Sequence, residues 1–157
     1  MNDVSEQCAR DLLDTVPVVM RFIRGEIRRR HTAGLSLPQF RTLAFFSHVD
    51  NSSLSAVAEH LGLSLPAMSR LVNGLVRGKL VERKPVSSNR RQIALSLTSR
   101  GQAKLEKVRS EIRAQLAGYL QDLPAAEKEL VQGAMRVLQK VFNSQKADAS
   151  QTKESAP

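Results

Sequence analysis

The sequence has no tryptophan and only 4% aromatic residues in 157, so any core must be built from Leu, Val, Ala and Ile, as in packed helices. A single cysteine, Cys8, excludes an internal disulfide, and a lone thiol fits a reducing compartment better than a secreted scaffold. No stretch approaches the ~20 apolar residues of a membrane span, and no basic-then-apolar leader precedes residue 30. The expectation is a cytoplasmic chain without a membrane segment. Paired carboxylates, a nucleophile beside a base and a phosphate-cradling glycine loop are also missing. His31, His48 and His60 lack close ligand spacing and there is no second cysteine, which argues against a zinc site. An enzyme is therefore not expected, nor is any cofactor or metal.

What the chain has is positive charge, +9 in all, and it is unevenly spread. Residues 1–50 carry a net +1, residues 51–101 a net +6, and residues 102–157 a net +2. Two thirds of the excess thus sits in the middle third. That is the distribution of a nucleic-acid-binding module between nearly neutral flanks, although charge alone would also suit a merely soluble basic surface.

From Ser5 to about Arg30, apolar residues at Cys8, Leu12, Val16, Val19, Phe22 or Ile23, and Ile27 step by three and four, predicting a long amphipathic helix that Pro17 interrupts. Arg28, Arg29 and Arg30 near its end offset the helix dipole, a better reading for them than DNA contact. Ser36 with Gln39 three residues on is a capping box and Pro38 suits a first turn, so a second helix should run to about His48. Ser53 caps a short third helix ended by Gly62, and Ser64 caps a fourth that carries Leu65, Met68, Leu71, Val72, Leu75 and Val76. After Gly78 the period becomes two: Val81 and Val86, a polar tip Ser87-Ser88-Asn89-Arg90-Arg91, then Ile93, Leu95 and Leu97, which predicts a hairpin. Thr98 caps a long helix with Leu105, Val108, Ile112, Leu116 and Tyr119 on one face, Gly101 being a minor weakness in it. Pro124 opens a last helix whose inward positions are Leu130, Val131, Ala134, Val137, Leu138 and Val141, and from Ser144 the loss of periodicity predicts a disordered tail.

A short helix, a turn at Gly62-Leu63-Ser64 and a second helix make a helix-turn-helix, whose second helix reads the major groove through its N-terminal residues. Taken alone, the pattern is equally an ordinary pair of packed helices. The hairpin that follows is a wing, and Arg90 and Arg91 at its tip suit a narrow minor groove, where negative potential favours arginine.

Leu61-Gly62-Leu63-Ser64, Met68-Ser69-Arg70-Leu71-Val72, Leu80-Val81-Glu82-Arg83 and Leu97-Thr98-Ser99-Arg100-Gly101 resemble, in order and spacing, the MarR family of bacterial transcription regulators. The similarity runs from the first helix to about Phe142 and is most specific from Leu61 to Gly101. It implies a mainly α fold with a small β-hairpin wing: an N-terminal dimerisation helix over 1–35, a winged helix-turn-helix DNA-binding domain over 36–101, and C-terminal dimerisation helices over 102–143 that intertwine with the first helix in a homodimer, with 144–157 as the tail. It also implies a repressor of double-stranded DNA operators, often released by a small phenolic ligand or an oxidant. By this resemblance Leu65, Pro66, Ser69 and Arg70 lie on the exposed half of the recognition helix, Ser69 on phosphate and Arg70 on phosphate or guanine. Arg91 matches the wing-tip arginine. Ser64, Arg77, Lys84 and Arg90 complete the candidate DNA-contacting set.

Departures from the family pattern are Asn89 and Asn73 in place of carboxylates, and Lys79 in place of a glycine before Leu80, which suggests a helix end shifted by one residue. An effector pocket, by the same resemblance, lies near Phe22, Phe40, Arg41, Phe45 and His48, residues that read also as core; one cation among apolar groups suits a small aromatic acid. Cys8 invites comparison with oxidant sensors, but with Tyr119 as the single tyrosine it reads better as a small core residue. The alternative function is a nonspecific nucleoid-type or accessory DNA-binding protein, distinguished by its indifference to a palindromic site.

Overall fold

The structure, a computed structural model, describes residues 3–29, 34–86 and 89–153, with side chains described except at 89–92 and 144–153. It divides into two units, Met1–Ala114 and Gln115–Pro157. In the first unit α1 spans Val4–Arg29, α2 Leu37–Phe46, α3 Leu54–Leu61 and α4 Leu65–Arg77. Strands β1 (Val81–Val86) and β2 (Asn89–Leu97) follow, and α5 (Ser99–Leu120) begins.

Each helix start follows from its cap. The Ser36 hydroxyl accepts from Gln39 N while the Gln39 carbonyl oxygen Oε1 accepts from Ser36 N at 2.8 Å, closing the capping box. Ser53 and Ser64 accept from Ala56 N and Ala67 N in the same way, at 3.1 and 3.4 Å. Gly62 ends α3 in the left-handed region at φ 67°, and Leu63 N donates to Ala58 O, so the turn before α4 is a glycine C-cap. At the end of α4, Gly78 stays in the right-handed region (φ −72°) and Lys79 takes the left-handed one (φ 58°). The left-handed position is therefore the one immediately before Leu80. The helix end is not shifted; a lysine occupies a site that favours glycine.

The core of this unit gathers Leu43 and Phe46 of α2, Val57 and Leu61 of α3, Met68, Val72 and Leu75 of α4, Val81 and Leu95 of the hairpin, and Leu105, Val108 and Ile112 of α5, all buried. The hairpin is antiparallel with Val81 opposite Leu97 and Arg83 opposite Leu95, and its register breaks between Pro85 and Val86. A single bridge joins Leu95 to Ser52 in the loop before α3. Gly101 is not a weakness. It admits the first turn of α5 against Leu80 O, where a Cβ would stand 2.0 Å away.

Helix α1 continues through Pro17, and of its expected stripe only Ile27 is buried, together with Glu26, which pairs with Arg29. Val16 and Val19 are exposed, as is Cys8, so the reading of Cys8 as a core residue does not hold within one chain. Periodicity reports a stripe, not what covers it. The capping reading of Arg28 and Arg29 in the last turn stands; Arg30 and His31 lie outside the described residues.

In the second unit α5 finishes, a turn closed by Leu123 N to Leu120 O follows, and α6 runs over Ala125–Lys153. Lys128 Nζ donates to Gln121 O across this turn. The tail expected from Ser144 is helical to Lys153, because Gln, Lys and Ala with neither Gly nor Pro sustain a helix without an apolar period. Of the positions expected to face inward, Leu130, Val131, Val137 and Val141 are exposed in the single chain, Leu130 by 72% and Val137 by 61%, and Leu138 is half-buried. No described helix is long and apolar enough to cross a membrane.

Candidate nucleic-acid interface

Helix α4 contains no acidic residue, and Pro66, Arg70, Asn73 and Arg77 recur at helical spacing along one exposed line. The residues expected at its N-terminal end come together there. Ser64 is the cap, Leu65 is 50% exposed although apolar, Pro66 is exposed, Ser69 is half-buried, and Arg70 is exposed with Nε donating to Pro66 O at 3.4 Å. Arg77 ends the helix, about 10 Å further along the axis than Arg70 at 1.5 Å per residue. Met68, Val72 and Leu75 on the opposite side are buried, which fixes the rotation of the helix and hence which residues face out.

On the wing, Lys84 is ion-paired with Glu82 at 2.6 Å, both partly exposed, so its charge is locally compensated. The side chains of Arg90 and Arg91 lie outside the described residues; their backbone belongs to β2. Sequence reasoning missed Arg83. Its Nη2 donates to Asn73 Oδ1, linking β1 to α4. Period-two alternation placing Arg83 on the strand face of Val81 was the available signal, but nothing local named its partner.

The residues expected around an effector are dispersed in burial: Phe22, Phe40 and Phe45 are half-buried, while Arg41 and His48 are exposed. Phe45 packs edge-on against Phe46 at 5.6 Å between ring centres and lies 4.8 Å from the ring of His60. An open cleft of about 550 Å³ in this unit is lined instead by Phe46, Ser47, Asp50, Thr98, Ser99 and Glu106, among others. Among the described residues no group of three His, Cys, Asp or Glu side chains could hold a metal ion.

A capped helix-turn-helix followed by a two-stranded wing defines a winged-helix protein. Residues 33–92 match the model of the MarR family. RV1404 from Mycobacterium tuberculosis is similar in structure at a TM-score of 0.73 and 24% identity, over 91% of this chain and 97% of that one. A Staphylococcus aureus MepR mutant bound to an oligodeoxyribonucleotide is similar at 0.61 and 18% identity, over 80% and 92%. CouR from Rhodococcus jostii, bound to p-coumaroyl-CoA, is similar at 0.58 and 19% identity, over 90% and 95%. No curated protein sequence matches the chain.

Proposed function

We propose that the chain is a transcription regulator that binds double-stranded DNA as a homodimer, inserting α4 into the major groove and the wing into the adjacent minor groove, and that it represses from a palindromic operator. The observation that carries this reading is the exposed, acid-free face of α4 with Arg70 and Arg77 on it, beside a wing whose β2 contains Arg90 and Arg91. Arginines on such a face neutralise phosphates and can pair bidentately with guanine, a contact worth about 1–3 kcal/mol of base discrimination. The MepR variant's oligonucleotide is in keeping with this use of the fold. The reading is non-enzymatic and needs no cofactor.

The homodimer is supported by the exposed apolar residues of α1 (Val16, Val18, Val19) and of α6 (Leu130, Val137, Phe142), surface that a soluble monomer rarely leaves bare. A second copy is its occupant. Release by a small aromatic ligand belongs to the same proposal; CouR's bound p-coumaroyl-CoA supports it. The experiment is binding of the purified chain to its own upstream intergenic duplex and to a shuffled duplex over a salt series, with Arg91→Ala alongside. Tight binding confined to the native duplex and weakened in the variant is the expected result. Equal affinity for both, falling alike with salt, would favour the nonspecific accessory role, and no binding at low salt would overturn DNA binding altogether.

A further inference from the structure

The wing is fastened tightly at its root and loosely along its blade. At the root Val81 is buried, Thr98 N donates to Leu80 O at 3.1 Å, and the Ser52 bridge gives Leu95 two backbone bonds of 3.1 and 2.8 Å. Ser96 Oγ adds a bond to Asn51 Oδ1 at 3.3 Å. Toward the tip, the inner face of the hairpin stands over a cavity of about 140 Å³ lined by Leu54, Val72, Arg83, Ile93 and Leu95, and Ile93 is 47% exposed. Close packing, which ordinarily fixes the angle between two elements, is incomplete there.

Arg83 spans this gap. It shares the strand face of Val81, lies opposite Leu95 in the register, and is one of the residues that line the cavity. Its guanidinium reaches Asn73 Oδ1, on the line of α4 between Arg70 and Arg77. We propose that Arg83 is a positioning residue that sets the angle of the wing on α4, and so the spacing between wing and recognition-helix contacts, without itself touching DNA. This rests on the DNA-binding reading above. A planar guanidinium engaged by an amide oxygen is directed toward the protein, whereas a lysine there would be a point charge on a mobile stem.

The test uses the full chain with Arg83→Met, which keeps the stem, Asn73→Ala, their double variant, and Asn73→Asp. Amide hydrogen exchange on the free protein reads the clamp. Strands β1 and β2 should exchange about two- to tenfold faster in both single variants, the loss expected of one hydrogen bond, and no faster in the double. Asn73→Asp should slow it, because a charged acceptor strengthens the bond. Binding to a mixed-sequence duplex of about three helical turns, over a salt series, reads the consequence. Both single variants should lose a similar factor in affinity with the salt slope unchanged, although Asn73→Ala removes no charge. Unaltered wing exchange in Arg83→Met would overturn the proposal, as would a salt slope reduced by about one phosphate in Arg83→Met with Asn73→Ala indistinguishable from the parent. If the parent itself fails to bind DNA, the functional reading falls while the exchange arm still judges the clamp.

Discussion

Replacing Gly101 by alanine sets two effects of opposite sign against each other. In a helix interior alanine is favoured over glycine by about 1 kcal/mol, so propensity alone says the variant gains stability. The structure says otherwise. A Cβ at this position would stand 2.0 Å from Leu80 O, 2.9 Å from Leu80 C and 2.7 Å from Leu97 Cδ1. Carbon meets a carbonyl oxygen no closer than about 3.3 Å, so the first turn of α5 would have to withdraw by more than about 1 Å. That turn is tied down. Thr98 Oγ1 donates to Lys79 O at 2.7 Å and accepts from Gly101 N at 3.0 Å, while Thr98 N donates to Leu80 O. Overpacking costs about 1–3 kcal/mol, with the upper end apt where the obstacle is backbone, and each strained hydrogen bond adds about 1 kcal/mol. The net loss is about 2–3 kcal/mol, or a fall in Tm of roughly 5–10 °C for a chain of this size. Thermal unfolding followed by circular dichroism at fixed protomer concentration measures it. Gly74→Ala is the control, since nothing lies within 4 Å of its Cβ, and Tm there should rise by about 2–4 °C. A Gly101→Ala Tm equal to or above the parent's would refute the close approach.

Lys79, at φ 58°, is strained for a residue with a Cβ, so Lys79→Gly should stabilise the chain by up to about 1 kcal/mol in denaturant titration, at unchanged m-value. Ser64→Ala removes the hydroxyl that accepts from Ala67 N and should cost about 1 kcal/mol, seen as a lower urea midpoint and faster exchange in the first turn of α4. Leu130→Glu, at a position 72% exposed in one chain, should leave the far-ultraviolet spectrum intact but shift sedimentation from twice the 17.4 kDa chain mass toward that mass; an unshifted dimer would remove α6 from the interface.

Where a signal is local, the sequence was read correctly. Ser36, Ser53 and Ser64 cap helices because a hydroxyl needs a backbone N–H only three residues on, and such spacing is visible in a string of letters. Period-two alternation from Val81 likewise found the hairpin. Contacts across space were not visible. Gly101 reads as a flaw because its reason, Leu80 O, lies in the turn between α4 and β1, and Arg83, though part of a motif, is not marked as a site residue because Asn73 is reached only after the chain has turned. The stripes on α1 and α6 were recognised as stripes, yet their exposure shows that periodicity does not say whether the same chain covers them. The extension of α6 to Lys153 was hidden for the converse reason: propensity without amphipathicity carries no period to detect.

The contrast between wing root and wing blade separates two ways in which the proposed interface can fail. At the root, backbone contact at Gly101 and the Thr98 bonds join the end of α4, the start of β1 and the first turn of α5 into one body, and several kcal/mol of folding stability depend on it. Along the blade, one solvent-exposed hydrogen bond from Arg83 crosses a partly empty gap, and about 1 kcal/mol depends on that. Global unfolding responds strongly to the first and weakly to the second, whereas on the proposed reading DNA affinity responds to the second because wing and recognition helix would have to reach the two grooves together. Gly101→Ala should therefore lower Tm by about 5–10 °C, and Arg83→Met should lower affinity with a fall in Tm of no more than about 2–4 °C. A fall in Tm of more than about 4 °C in Arg83→Met would mean that the blade, too, is part of the cooperative core, and that its angle is set by packing after all.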